Sequence, residues 1–595
     1  MALLEIRDLD VRFSTRDGEV HAVKGVSLDI HEGTCLGVVG ESGSGKSQLF
    51  LAAMGLLAAN GKVSGSVRYR GKELLGLPAQ ELNQFRGSKV TMIFQDPLTS
   101  LTPHMTVGAQ IVEALTSHRK MPREEARARA REMLDYVRIP EAARRMKQYP
   151  HELSGGMRQR VMIAMATIAG PDLVIADEPT TALDVTVQAQ ILEILRALKI
   201  EKRTALALIS HDMGVIAGNA DQVMVMRHGE VVERGTVESV FHAPEQDYTK
   251  MLLASMPRLS DPVHLATRPG EMLLEVKDVR VTFPVKGDGF FAKTRALRAV
   301  DGVSFTLRAG ETLGVVGESG CGKSTLARAV MQLIPPSAGH PKGEVLWLGR
   351  DLTRARQNDI RAARKDFQIV FQDPLASLDP RMPIGVSIAE PLKTLEPGRA
   401  RTEVRDRVRK MMAHVGLDPQ WINRYPHELS GGQNQRVGIA RAMIVRPKMV
   451  ICDEAVSALD VSIQAQIVAL IKSLQAETGL ALIFISHDLA VVRQLSHRVM
   501  VLYLGRVVET ADAAALYADP RHPYTRALLS AVPTPDPDVE RGKTRTLLTG
   551  DLPSPLDSRA QLTFLKSRRI DDPDAMQYRP KLIEVAQGHF VAEHD

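Results

Sequence analysis

"GVVGESGSGKS" at residues 37–47 and "GVVGESGCGKS" at residues 314–324 are almost the same eleven residues, met twice in one chain at an interval of 277 positions. Each follows an apolar run and leads into a helical pattern, "QLFLAAMGLL" or "TLARAVMQLI", so the local order is strand, glycine loop, helix. A loop of this kind can be a mere tight turn. The pattern G-x-x-x-x-G-K-S in that setting, found twice, points instead to phosphate binding. Gly40, Glu41, Ser42, Gly43, Ser44, Gly45, Lys46 and Ser47 form the first loop; Gly317, Glu318, Ser319, Gly320, Cys321, Gly322, Lys323 and Ser324 form the second. Glycines let backbone N–H groups turn inward around phosphate oxygens, and the helix N-terminus adds partial positive charge. Lys46 and Lys323 are then placed for the β- and γ-phosphates of a nucleotide, and the Ser47 and Ser324 hydroxyls for Mg²⁺.

At 595 residues the chain exceeds what one hydrophobic core organises, and further blocks recur behind each loop. Lys46 to Gln95 and Lys323 to Gln372 both span 49 positions; Ser154 to Glu178 and Ser430 to Glu454 both span 24; Glu178 to His211 and Glu454 to His487 both span 33. A single net residue separates the copies, 59 positions against 58 between the glutamine and the serine. That period is far too long for a solenoid and suits a duplicated domain. The expected organisation is a first domain over 1–254, a linker over 255–272 with prolines and mixed polar residues, a second domain over 273–533 and a tail over 534–595. Within each copy "REEARARAREMLDYV" and "RTEVRDRVRKMMAHV" set apolar residues at helical spacing among many charges, which predicts helices with one solvated face.

Composition excludes several classes. Hydrophobic residues make up 44% and charged residues 25%, an ordinary globular balance, and the net charge of +6 is spread thinly, so no concentrated nucleic-acid footprint stands out. Cys35, Cys321 and Cys452 have no spacing suited to a metal or a disulfide framework. The start "MALLEIRDLDVRF" lacks an export signal, and no apolar run approaches the ~20 residues that span a bilayer. A protein of this kind serving a membrane needs other subunits to cross it.

A nucleotide loop needs a carboxylate for its metal. "LVIADEP" at 173–179 and "MVICDEA" at 449–455 end apolar strands on Asp177 and Asp453, suited to Mg²⁺, followed by Glu178 and Glu454, suited to take a proton from an attacking water.

"LSGGMRQR" at 153–160 and "LSGGQNQR" at 429–436 resemble the signature of the ATP-binding-cassette ATPases, and the other blocks follow that family's order. The resemblance implies α/β architecture: two tandem cassettes, each with a RecA-like core, an antiparallel β subdomain and a helical subdomain, plus C-terminal extensions. It implies that Gln95 and Gln372 link nucleotide state to the transmembrane partner and contribute to the nucleotide and metal site, and that His211 and His487, in "LISHD" and "FISHD", contact the γ-phosphate. It assigns "TALD" at 181–184 and "SALD" at 457–460 to the loop that crosses the cassette interface. In this family each ATP lies between one cassette's phosphate loop and the other's signature. The implied composite sites therefore pair Lys46, Gln95, Asp177, Glu178 and His211 with Ser430, Gly431 and Gly432, and Lys323, Gln372, Asp453, Glu454 and His487 with Ser154, Gly155 and Gly156, an intramolecular pseudo-dimer. Met157, Asn434 and Ala455 depart from the family pattern without removing a phosphate or metal ligand. The family stacks an aromatic near the start of each cassette on adenine, which implies Phe13 and Phe283, with Phe290 or Phe291 as alternatives in the second copy.

The tails "FHAPEQDYTKMLLASMP" at 241–257 and "LYADPRHPYTRALLSAVP" at 516–533 resemble the His-Pro-Tyr extension of the peptide, opine and nickel importer branch; the first keeps only the Tyr. "DEAVSALDVSI", "VRIPEA", "GDLPSP" and "GHFVAEH" add likeness to fused two-cassette members of that branch. The implied role is a peripheral ATPase on the cytoplasmic face of the bacterial inner membrane. It would energise import of di- or oligopeptides or a glutathione-like cargo, bound to two permease subunits and served indirectly by a solute-binding protein, with ATP and Mg²⁺ and no nucleic acid. A competing class is a soluble two-cassette ATPase acting on ribosome or DNA. Such proteins usually carry a long charged helical linker or zinc-binding cysteines, and this chain has neither.

Overall fold

In the computed structural model the described residues are 2–15, 18–181, 183–261, 263, 265, 267–285, 295–335, 341–456, 459–546, 553, 556–557, 560–565 and 578–595. The chain divides into two units, one of Met1–Met256, Asp460–Ser462 and Pro533–Asp551, the other of Pro257–Leu459, Ile463–Val532 and Leu552–Asp595.

The first unit carries two sheets. β1 (Leu4–Thr15), β2 (Gly18–Ile30), β4 (Gly61–Tyr69) and β5 (Lys72–Glu73) form an antiparallel sheet in the order β2-β1-β4-β5. β3 (Cys35–Val39), β6 (Val90–Ile93), β7 (Leu173–Asp177), β8 (Ala205–Ser210), β9 (Gln222–Arg227) and β10 (Glu230–Thr236) form the other, ordered β10-β9-β3-β8-β7-β6. Only β10 runs antiparallel to its neighbour; β9, β3, β8, β7 and β6 are parallel. Every residue of β3, β7 and β8 is buried. The cause is packing on both faces: Val38, Ile175 and Met224 join the core shared with the antiparallel sheet and Phe50, while Val39, Val174, Leu208 and Val223 join the core shared with the helices. Each such side chain contributes ~1.5–3 kcal/mol by leaving water.

β1 shows how local sequence sets a strand's shape. Leu4 and Ile6 face the core, and so do Leu9 and Val11, which have the opposite parity. Alternation survives only if the strand slips one residue, and it does so between Ile6 and Leu9, with Asp8 at φ 45°. β11 (Met272–Val285) repeats the device between Val276 and Val279, with Asp278 at φ 47°.

Helices α1 (Lys46–Ala53), α2 (Val107–Thr116), α3 (Arg123–Tyr136), α4 (Gly155–Thr167), α5 (Val185–Lys202) and α6 (Asp247–Ser255) belong to the first unit. In α3 only Ala126, Ala130 and Leu134 are buried, a spacing of four that turns one face to α2 and α4 and leaves the charges to solvent.

The second unit repeats this plan with β11, β12 (Arg295–Arg308), β13 (Thr312–Val316), β14 (Lys342–Trp347), β15 (Arg350–Asp351), β16 (Phe367–Val370), β17 (Met449–Asp453), β18 (Ala481–Ile485), β19 (Arg498–Tyr503) and β20 (Arg506–Asp512). α7 (Lys323–Val330), α8 (Ile384–Leu395), α9 (Arg401–His414), α10 (Gly431–Met443) and α11 (Pro523–Ala531) are its main helices. One addition has no counterpart: the tail forms a hairpin, β21 (Leu582–Ala586) and β22 (His589–Ala592), extending the main sheet to β16-β17-β18-β13-β19-β20-β22-β21. Buried Glu509 on β20 anchors it, accepting from the Arg521 and His522 N–H groups at 2.8 and 3.0 Å and lying 2.8 Å from His589 Nε2. "GHFVAEH" is thus largely a sheet strand. Among the described residues no helix is long and apolar enough to cross a membrane.

Candidate nucleotide sites

The strand order decides the site. Because β3, β8, β7 and β6 are parallel neighbours, their C-terminal ends lie side by side, where ligands bind in sheets of this type. The phosphate loop follows β3, His211 follows β8, Asp177 and Glu178 end β7, and Gln95 lies two residues past β6. The same holds for β13, β18, β17 and β16 with His487, Asp453, Glu454 and Gln372.

Each loop requires glycine. Gly45 caps α1 at φ 98°, and a Cβ there would lie 2.3 Å from the Ala22 carbonyl; Gly322 caps α7 at φ 106°, with 2.2 Å to the Ala299 carbonyl. Within the first loop Lys46 donates to the carbonyls of Gly40 at 2.7 Å and Glu41 at 2.8 Å; Lys323 donates to Gly317 at 2.7 Å and Glu318 at 3.1 Å. Burial, opposed by the Glu178 charge, lowers the Lys46 pKa.

Ser47 donates to Asp177 at 2.9 Å, and Ser324 to Asp453 at 2.9 Å. Burial raises both aspartates, with the serine bonds opposing. Gln95 Nε2 donates to Glu178 at 2.8 Å, and Gln372 Nε2 to Glu454 at 2.8 Å, leaving each amide oxygen as a lone-pair donor. Hydroxyl, carboxylate and amide oxygens form a hard donor set that suits Mg²⁺.

His211 Nδ1 lies 3.4 Å from Glu178, and His487 Nδ1 lies 3.8 Å from Glu454. Burial would raise Glu178, but the His211 hydrogen bond and charge, with the Thr181 hydroxyl at 2.8 Å, hold it down to about 2. Glu454 is lowered by His487 in the same way. Burial works against the charged form of both histidines, and the glutamates outweigh it and raise them.

Each unit therefore brings together its loop lysine and serine, glutamine, Asp-Glu pair and histidine. The signature residues stand on separate helices: Ser154 caps α4, accepting from Met157 N–H at 3.2 Å, and Ser430 caps α10, accepting from Gln433 N–H at 3.3 Å. Phe13 and Phe283 are half-buried against the antiparallel sheets; Phe290 and Phe291 lie outside the described residues, as do Ala182, Ser457 and Ala458 of the interface loops.

The ABC transporter family model matches residues 23–181 and again 300–457. The chain belongs to the ABC transporter ATPases. A model described as the oligopeptide/dipeptide transporter C-terminal region matches 232–280 and 508–560, after each cassette. The glutathione import ATP-binding protein GsiA of Pectobacterium atrosepticum is 45% identical, covering 100% of this chain and 97% of its own. That of Escherichia coli K12 is 46% identical, covering 99% and 97%. Among solved structures, the dimeric bacterial ABC transporter cassette MJ0796 aligns with 39% of this chain and 98% of its own at 29% identity, with a TM-score of 0.36. The two family matches, with the sheets and helices described above, give both ABC cassettes the predicted subdomain plan, and as a member of that family the chain binds and hydrolyses ATP.

Two of the departures from the family pattern, Met157 and Asn434, have local readings, and nothing in the structure explains Ala455. Gln433 returns a bond to the Ser430 N–H at 3.0 Å, completing a capping box that Met157 cannot make, so α4 keeps half of it. Asn434 donates to the Pro426 carbonyl at 2.9 Å, and Arg158 at the matching position donates to the Pro150 carbonyl at 2.7 Å. The shorter side chain keeps the same tie.

Three features escape sequence reasoning. Glu178 and Glu454 sit at φ 45° and 49°, left-handed positions that cost an L-residue roughly 1–3 kcal/mol, and their N–H groups bond the Ile209 and Ile485 carbonyls at 3.0 and 2.9 Å. The turn takes each glutamate out of strand alternation, and no residue type announces it. Thr181 beside Glu178 had no signal outside its loop. The third is a tyrosine behind each phosphate loop, foreshadowed only by the Tyr that both tails share.

Proposed function

We infer that this chain is the ATPase subunit of a bacterial ABC importer of the peptide class, taking a di- or oligopeptide or a glutathione-like cargo through two separate permease subunits. Its place is the cytoplasmic face of the inner membrane, as a peripheral protein. End-to-end similarity to proteins named for glutathione import carries this reading.

In each cassette Lys46 or Lys323 leaves the loop carbonyls to hold the β- and γ-phosphates, while backbone N–H groups of the loop surround them. Ser47, Asp177 and Gln95, with Ser324, Asp453 and Gln372, would hold Mg²⁺, which would supply neutralisation of phosphate charge. Glu178 and Glu454, kept as carboxylates by their histidines, orient and deprotonate the attacking water. His211 and His487, whose charged form the glutamates favour against burial, face the γ-phosphate as negative charge shifts onto it. The signature of each cassette completes the site of the other, which accounts for two cassettes in one chain. Domain boundaries at 254, 272 and 533 belong to the same proposal.

The test is affinity purification from membranes, followed by ATPase assay with the encoded solute-binding protein. Two integral-membrane permeases are expected with the chain, and turnover is expected to rise with ligand-loaded binding protein. Recovery with ribosomes or DNA and no permease would overturn the reading.

A further inference from the structure

Behind each phosphate loop stands a tyrosine of the segment that follows the cassette. Tyr524 on α11 is 0% exposed, and its hydroxyl accepts the Glu318 N–H at 3.0 Å. Tyr248 on α6 accepts the Glu41 N–H at 3.4 Å. The N–H of Glu318 and the carbonyl of Gly317 belong to one peptide group, and that carbonyl is the one to which Lys323 donates at 2.7 Å. The Gly40–Glu41 peptide is held the same way, between Tyr248 and Lys46. A peptide group is planar, so fixing its N–H fixes the direction of its carbonyl.

The tyrosines are themselves held, by different means. Tyr524 packs 4.8 Å from the Tyr503 ring and 6.1 Å from Phe564 of the tail; Tyr248 lies under the Arg227 guanidinium at 4.7 Å. The first tail has Gln246 and Asp247 where the second has His522 and Pro523. What the two tails share is the hydroxyl and its target. Glu318 is 4% exposed, so removing the hydroxyl takes away a hydrogen bond that its N–H makes away from water.

We propose that Tyr248 and Tyr524 are positioning residues for ATP: through the Gly40–Glu41 and Gly317–Glu318 peptides they hold the phosphate loop in its binding shape when Lys46 and Lys323 turn from the loop carbonyls to the phosphates. The inference rests on those lysines being phosphate ligands. It makes each C-terminal extension a brace for the nucleotide site of its own cassette.

The full-length chain carrying Tyr248→Phe and Tyr524→Phe keeps both rings and loses both hydroxyls. Loss of one hydrogen bond per site is expected to weaken ATP about fivefold. The shift should appear in Kd for a fluorescent ATP analogue and in KM, with kcat within about twofold; a lower nucleotide-free melting temperature is expected as well from the lost buried hydrogen bonds. Tyr503→Phe is the control: its hydroxyl faces Thr563 and the Ala560 carbonyl, 3.4 and 3.5 Å away in the tail, so ATP affinity should stay at the parent value. An unchanged Kd in the double variant overturns the proposal, as does an equal shift in Tyr503→Phe. Tyr524→Phe alone is read by the same criteria should the double variant not fold. Lys46→Ala with Lys323→Ala tests the underlying reading separately; affinity lost in the tyrosine pair but kept in the lysine pair removes the route through the lysine.

Discussion

At the scale of single residues the proposed chemistry rests on Glu178 and Glu454. Gln replaces either without changing shape, keeps the left-handed backbone and removes the carboxylate. Glu178→Gln and Glu454→Gln are each expected to remove the turnover of one site, about half of the steady-state rate, and the two together to lower it by about 100-fold or more, the lower end for losing a positioned base. A single variant with parental turnover would mean that its site contributes nothing. A second residue-scale prediction concerns His522, which accepts the Tyr524 N–H through Nδ1 at 3.1 Å and is therefore needed neutral. Burial, with the nearby His594 charge, pushes its pKa down to about 3. The unfolded chain takes up a proton near pH 6.5 and the folded chain does not, so stability is full above that pH and falls as pH drops from about 6.5 toward 3. His522→Gln should flatten part of that acid limb in urea titrations at pH 7 and 5; an unchanged pH slope would contradict it.

Elements succeed or fail on close approaches. Gly432 lies in the first turn of α10, and a Cβ there would come within 2.5 Å of Ile463 Cγ2; Gly156 in α4 meets Val187 Cγ1 at 2.5 Å. Both obstacles are branched at Cβ and have little rotamer freedom. Gly432→Ala is expected to cost about 1–3 kcal/mol of stability through overpacking, seen as a lower melting temperature, and Ile463→Ala in the same chain should recover part of it. Absence of recovery would place the cost elsewhere. Much of this level was legible beforehand. The spacing of Ala126, Ala130 and Leu134 reveals one buried face of α3, and "CLGVV" reads as a strand buried on both sides. The slip in β1 is legible as well, from the parity change between Ile6 and Leu9. The hairpin of β21 and β22 is not, because "LIEVA" is solvent-exposed throughout and makes no periodic pattern against a core.

The whole molecule poses the question of why there are two cassettes. If each signature completes the other cassette's site, Lys46 and Ser430 act as one unit, and so do Lys323 and Ser154. In the full chain Lys46→Ala with Ser430→Ala should then turn over ATP about as fast as Lys46→Ala alone, while Lys46→Ala with Ser154→Ala should fall well below either single variant, because both sites are damaged. Equal rates for the two double variants would sink mutual completion.

Sequence alone determined the duplicated architecture and pointed to the residues on which the proposed phosphate, metal and water-handling roles rest, because backbone cradles and metal ligands demand particular residue types at particular intervals. It could not determine which strand ends would meet, since strand order is a matter of non-local pairing; β3 between β8 and β9 is what gathers residues over a hundred positions apart. Only the tertiary structure revealed the left-handed glutamates and the tyrosines behind the loops. Their significance lies in a backbone angle and in which backbone N–H a tyrosine hydroxyl reaches, and residue type alone shows neither.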